Sequence, residues 1–178
     1  MKLFLLIALL SMIPGMLPAD NWDADAEKAK INFTVDGPFG KVHGSFSGLK
    51  STLQFSETDL ASSSISASID PNSVKSGIGL RNTDLRNEEV WLDTKKYPTI
   101  SFKSQKIQKT ATGFEVLGEL NLKGTAKSVT IPFTFTSSGN TGIFKGNFSI
   151  KREDYHLGKP GGSVGSVIDI TLEVPVKK

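Results

Sequence analysis

GIGLRNTDLRNEEVWLDTKKYPTISFK, residues 77–103, breaks the rhythm of a chain that is otherwise period-two. The segment opens with small and apolar residues in alternation and passes a capping-type Asn82-Thr83-Asp84. It then carries Leu85, Glu89 and Leu92 at helical spacing and returns through Tyr97-Pro98 to an alternating Ile100 and Phe102. The pattern predicts one short helical insertion, around residues 77–93, in an all-β chain, placed to plug or cap whatever the strands enclose.

Outward from this segment the residues alternate. Ile31, Phe33 and Val35 are followed by Val42, Gly44 and Phe46, then Leu53 and Phe55, then Ser63, Ile65, Ala67 and Ile69. After the insertion come Ile100 and Phe102, Phe114 to Leu122, Val129 to Phe135, Phe144 to Ile150 and Ile168 to Val174, each with polar residues between the apolar ones. One apolar and one polar face per run is the mark of antiparallel strands with one side buried. Turn signals such as Asp36-Gly37-Pro38, Asp70-Pro71-Asn72, Lys123-Gly124 and Gly139-Asn140 keep the connections short, which predicts a meander of eight or nine strands. Periodicity does not separate a sandwich from a barrel. The inward Gly44, Ala67, Gly118 and Gly146 favour a barrel with room inside, because small residues leave space or mark bends.

Met1-Lys2, the apolar run Leu3 to Leu10, and the Pro14, Gly15 and Pro18 before Ala19 follow the order of a secretory signal, predicting a leader over residues 1–19 and one domain over 20–178. The apolar run is too short to span a bilayer, and no cysteine stands at the junction to carry a lipid. A freely soluble exported protein, periplasmic or secreted, is expected. The formal net charge is +3, and loss of Lys2 with the leader lowers it by one, to +2. Lysines and arginines are scattered among acids rather than striped, which argues against a nucleic-acid partner. With no cysteine there is neither a disulfide framework nor thiol chemistry.

The search for catalytic groups finds little. His43 and His156 are the only histidines and are far apart, so neither a zinc nor a haem site is expected. Glu88, Glu89 and Asp93 lie close in sequence, but neighbouring acids on a short helix diverge instead of converging on a substrate. No nucleophile elbow or phosphate loop is present, and the chain reads as a non-enzyme without cofactor. Arg81 and Arg86 flank the capping-type segment, where a guanidinium can grip phosphate or carbonyl groups. The competing reading pairs them with Asp84, Glu88 or Glu89. Trp91 and Tyr97 either line a pocket mouth or staple the helix to the sheet.

Taken together, these residues resemble the YceI-like family of exported polyisoprenoid-binding proteins. The resemblance runs through Asp70-Pro71-Asn72-Ser73-Val74, Arg81-Asn82-x-Asp84-Leu85, and Trp91-Leu92-Asp93-x-x-Lys96-Tyr97-Pro98-x-Ile100-x-Phe102. It continues in Gly118 to Gly124, in Phe148-Ser149-Ile150-x-Arg152-x-Asp154-Tyr155, and in Val164-Gly165, covering nearly all of the chain after the leader. Asp84-Leu85 stands where many relatives carry His-Leu, and Lys123 where a His is common, so head-group identity does not carry over.

The resemblance implies an antiparallel, eight-stranded, lipocalin-like barrel whose apolar tunnel holds the tail of a quinone or polyprenyl phosphate. Inward parity selects Phe33, Phe46, Phe55, Ile65, Ile100, Phe102, Leu120, Phe133 and Phe148 as tunnel lining, with Arg81, Arg86, Trp91 and Tyr97 at the mouth. Transient membrane contact and a homodimer are left open. The alternative is a barrel with a packed core that binds protein or carbohydrate on its outer face.

Overall fold

The computed structural model describes residues 19–178, so the predicted leader, Ala19 apart, lies outside the described residues. Ten strands follow: β1 (Asp20–Ala24), β2 (Lys30–Gly37), β3 (Gly40–Phe46), β4 (Lys50–Phe55), β5 (Ser64–Ile69), β6 (Ile100–Thr110), β7 (Gly113–Leu122), β8 (Thr125–Ser138), β9 (Thr141–Lys151) and β10 (Val167–Lys177). All pair antiparallel, in the order β1-β4-β5-β6-β7-β8-β9-β10-β2-β3, and β1 also pairs with β10.

Ten strands make eight staves. One edge of β10 takes β2 from Ile168 to Glu173 and β1 at Val176 and Lys177, so β1 and β2 run end to end as one interrupted stave. β3 pairs with β2 and β4 with β1, which makes β3 and β4 a second interrupted stave. Read this way, the predicted meander closes on itself as an eight-stave barrel. The sequence pattern misses β1, because Trp22 is its one large inward apolar residue and a single residue shows no alternation.

The inward parity of the long strands is as predicted: in β7, Phe114, Val116, Gly118, Leu120 and Leu122 are buried. β6 runs further than its readable part, since a register shift between Ser104 and Lys106 changes the phase and brings Ile107 inward.

At one end the aromatic side chains of consecutive staves meet. Phe55, 1% exposed, has Phe114, Phe133, Phe135 and Phe144 around it at 5.1–5.6 Å between ring centres, all edge-on at 67–88°. Trp22 joins them and donates its indole N–H to the Phe55 carbonyl, 3.2 Å. This floor is solid. The chain enters and leaves beside it, with Lys178 Nζ 2.7 Å from Asp20.

The opposite end is covered by connections. β5 has only six residues beside eleven in β6, and the chain between them, residues 70–99, closes the gap this leaves along β3, starting with a bridge from Lys75 to Ser45. It holds the one α-helix of the described residues, α1 (Gly79–Asn87). The helix is shorter at both ends than the predicted insertion over 77–93. Ile78 precedes it without a side-chain cap, and Asn82 lies inside, accepting from the Ser76 N–H and hydroxyl at 2.7 Å each. After Asn87 the chain doubles back: Leu92 N–H donates to the Leu85 carbonyl and Thr94 N–H to that of Arg86. That fold-back, not helical spacing, brings Leu92 beside Leu85.

Phe55→Ala is expected to cost about 3–5 kcal/mol, because four rings lose their common partner and the floor cannot collapse onto the gap. Urea unfolding monitored by tryptophan fluorescence measures it, and a loss below about 1 kcal/mol would mean that the floor is not close-packed.

Candidate functional site

Between the aromatic floor and the covered end lies a cavity of about 300 Å³. Two buried clusters bound it, and Phe102, Val129 and Phe148 touch both. Along β7, β9 and β10 the lining runs from Val116 to Leu122, from Phe144 to Ile150 and from Ile168 to Val174. Each span is six residue steps, roughly 20 Å of strand.

Of the residues selected by parity, Phe33, Phe46, Ile65, Ile100, Phe102, Leu120, Phe133 and Phe148 all line the cavity. Phe55 does not. It sits one layer below, and its ring is spent on the floor.

The small inward residues work differently from the expectation. Ala67 and Gly146 face the cavity, but Gly44 and Gly118 are covered by aromatic rings. A β-carbon at Gly118 would overlap the Phe102 ring and stand 2.6 Å from the Lys103 carbonyl oxygen. One at Gly44 would overlap Phe33 and stand 2.8 Å from the Lys75 carbonyl. Each glycine lets a ring from the neighbouring strand lie back against the wall. The space gained is therefore in the lumen beside the phenylalanine, not above the glycine.

The four predicted mouth residues separate. Trp91 lines the cavity. Arg81 and Arg86 turn to backbone instead of to the nearby acids: Arg81 donates to the Ser76 carbonyl at 3.2 Å and Arg86 to that of Val74 at 2.9 Å, tying α1 to the strand-like segment before it. Arg86 Nε is buried without a partner among the described residues. Tyr97 is a staple. It packs on Gly124 in the Lys123-Gly124 turn between β7 and β8, where both residues have positive φ, 52° and 72°, as a two-residue type I′ hairpin requires.

The residue that sequence reasoning passed over is Arg152. It is 2% exposed and lines the cavity roof. Its guanidinium donates to the carbonyls of Leu157 (2.7 Å), Lys159 (3.2 Å), Val164 (2.9 Å) and Gly165 (2.9 Å), and stands 3.1 Å from Glu153. Residues 157–165 are thus wrapped around one buried cation, whose charge is spread over carbonyl dipoles. The signal was in the parity: Phe144, Gly146, Phe148 and Ile150 point inward, and Arg152 is next in phase.

The wrapped loop and residues 70–99 share the roof. Gly158 N–H donates to the Val90 carbonyl, and the Trp91 ring lies so near Gly158 that a β-carbon there would come within 2.9 Å of it. Gly158 has φ +69°, a second reason for glycine. Tyr155, 2% exposed, supports the roof from outside the lining, its hydroxyl buried without a partner among the described residues. Burial, and secondly the Asp154 charge, pushes that hydroxyl above its ordinary pKa.

His43 is exposed and meets only Thr34, at 3.0 Å. Among the described residues no group of three His, Asp or Glu side chains is placed to hold a metal ion. No helix among them is long and apolar enough to cross a membrane.

The YceI-like domain family matches residues 22–176 of this chain. A UPF0312 protein of Yersinia enterocolitica is 28% identical over 159 residues, 85% of this chain and 82% of that relative. Among solved structures, BcnA of Burkholderia cenocepacia aligns with a TM-score of 0.80 at 28% identity, over 86% of this chain and 99% of its own. A polyisoprenoid binding domain from Saccharophagus degradans, implicated in plant cell wall breakdown, aligns with a TM-score of 0.67 over 88% of this chain and 97% of its own. At 16% identity that last likeness is one of fold.

Arg152→Lys is expected to lower stability by about 3–5 kcal/mol, since an ammonium cannot reach carbonyls on several sides and some are left buried and unpaired. Amide hydrogen exchange should quicken in residues 157–165 before it does in the floor; uniform acceleration would deny the loop its dependence on Arg152. For Tyr155 the sign runs with alkali. The unfolded chain ionises near pH 10 while the folded hydroxyl keeps its proton, so stability is full below about pH 10 and falls as pH rises through the folded value. Tyr155→Phe should flatten that fall and at pH 7 match or exceed the parent by about 1 kcal/mol. Urea midpoints across pH 7–11 check both halves; an unchanged alkaline fall would clear Tyr155 of it.

Proposed function

The chain belongs to the YceI-like family, and from that premise we propose that it binds a long-chain isoprenoid lipid, of the quinone or polyprenyl phosphate type, for storage or transport outside the cytoplasm. No bond is made or broken. The tail occupies the barrel cavity and the polar head rests at the roof.

One observation carries this reading: a cavity of about 300 Å³ at the centre of a closed barrel, lined almost throughout by aliphatic and aromatic side chains. Such a site offers a ligand no hydrogen bonds and rewards only the removal of apolar surface from water. At about 0.8 kcal/mol per buried CH₂, one five-carbon isoprene unit gains about 4 kcal/mol. Association costs about 4–15 kcal/mol in lost freedom, so a single unit gains too little while three or four in line suffice. The ligand is therefore recognised by length and apolarity, which is what an isoprenoid tail presents. The Saccharophagus degradans neighbour, a polyisoprenoid binding domain, supports the same class of ligand.

The head group is met by the roof. Trp91 offers a flat apolar face to the cavity, and Arg86, outside the lining, keeps a buried Nε with no partner among the described residues. The apolar run before Ala19 supports export, by which the protein would meet its ligand in the periplasm or the medium. A barrel with a packed core that binds protein or carbohydrate is the second reading. The rings over Gly44 and Gly118 favour it locally, and the cavity between the two clusters counts against it.

Native mass spectrometry of the exported protein, purified without detergent, is expected to find an added mass that organic extraction releases as an isoprenoid lipid. Ala67→Phe places a ring in the lumen and should lower retention of that lipid at least about tenfold, the loss of two or more buried methylenes, while the fold survives. A parent protein that stays unliganded after incubation with quinones and polyprenyl phosphates would rule the proposal out.

A further inference from the structure

Three large apolar side chains stand out at the roof end: Phe39 fully exposed, Leu80 at 74% and Ile78 at 51%. Isolated exposed apolar residues are ordinary on a protein surface, so their shared position carries the argument. Phe39 occupies the tip of the β2–β3 hairpin. That hairpin overruns its neighbour, because β10 begins its pairing at Ile168 opposite Val35, leaving residues 36–41 paired only with each other. Ile78 and Leu80 lie toward the same rim, since Gly77 borders a surface hollow together with His43 and Gly44 of β3. The Ser45–Lys75 bridge is antiparallel, so the chain after Lys75 runs back along β3 toward Gly40. The loop wrapped on Arg152 is tied there too, through the Gly165 N–H and the Asp36 carbonyl at 2.7 Å, and it gives Val164 to the cavity lining.

The rim carries lysines. Lys41, Lys75, Arg81 and Lys159 stand against Asp36 and Asp84, and Lys41 already holds Asp36 at 3.4 Å. An exposed apolar edge that carries lysines, at the end of the barrel whose loops roof an apolar cavity, matches one partner in chemistry: a bilayer with anionic head groups.

We propose that this rim docks on such a bilayer, with Phe39, Ile78 and Leu80 entering the head-group layer and the lysines meeting its phosphates. A lipid tail then passes between bilayer and cavity without crossing water. The step rests on the reading of the cavity as an isoprenoid site.

The test is flotation of the processed chain with vesicles of phosphatidylethanolamine and phosphatidylglycerol. The parent is expected to float, and Phe39→Ser combined with Leu80→Ser to weaken vesicle binding at least about tenfold, because two large side chains lose their burial. Thermal melting should not change, since both residues are exposed. Transfer of a quinone from vesicles should slow in step, whereas uptake of the same quinone from dilute detergent should not. A parent that stays in the dense fraction, or a double variant that floats equally well, overturns the proposal. So does a dimer that the double variant dissolves in the absence of flotation, which would give the rim to a second copy. Ala67→Phe separates the two readings: it is expected to float like the parent while failing to retain quinone. Loss of uptake with flotation intact is thus a failure of the cavity, and loss of flotation with uptake intact a failure of the rim.

Discussion

Closure of the sheet depends on one edge of β10. That edge accepts β2 over its first half and β1 over its last residues, and without the second contact the barrel would be a curled sheet with two open sides. The break at residues 25–29 makes the double pairing feasible. Asp25 N–H still bonds the Pro175 carbonyl at 2.9 Å, so the chain stays fastened to β10 while it steps from one strand to the next. A closed ring of eight staves has an interior just wide enough for side chains, or for one small ligand where they draw back. Floor, cavity and roof are all consequences of that ring being shut.

The two ends are built from different forces. The floor is dispersion and aromatic geometry, with Phe55 at its centre and little polarity beyond one indole N–H. The roof is chain that cannot pair as strand, and its backbone groups need partners from elsewhere. Arg152 answers four carbonyls, Arg81 and Arg86 one each, and Asn82 a backbone N–H. A buried guanidinium suits this because its fork of donors meets carbonyls lying in several directions.

The barrel and most of its lining were legible because burial on one side of a strand writes a period of two into the residues. Of the nine residues selected by parity, eight line the cavity; Phe55 does not, because parity gives the face of a strand and not the height along the barrel. Parity was blind where the backbone departs from regularity: the shift near Ser104 hides the second half of β6, and β1 is too short to alternate. The roof was less legible. Asn82 looks like a cap and serves as a hydrogen-bond acceptor for Ser76, while Arg81 and Arg86 lie among acids and bond to carbonyls. Such choices are made by tertiary distance, which residue type does not encode. The inward glycines were noticed for the right positions and the wrong reason, since at Gly44 and Gly118 the room is taken by a ring from the next strand.

Both termini of the barrel lie at the floor, Asp20 pairing with Phe55 and Lys178 reaching back to Asp20, whereas the rim with Phe39 and the wrapped loop is at the far end. The molecule is in this sense a cup held by its base. Anything joined to either end of the chain, whether a tether, a second domain or a solid support, holds the barrel with its roof turned outward. Molecules fixed side by side through either terminus would all face the same way, each with its cavity directed at whatever lies opposite.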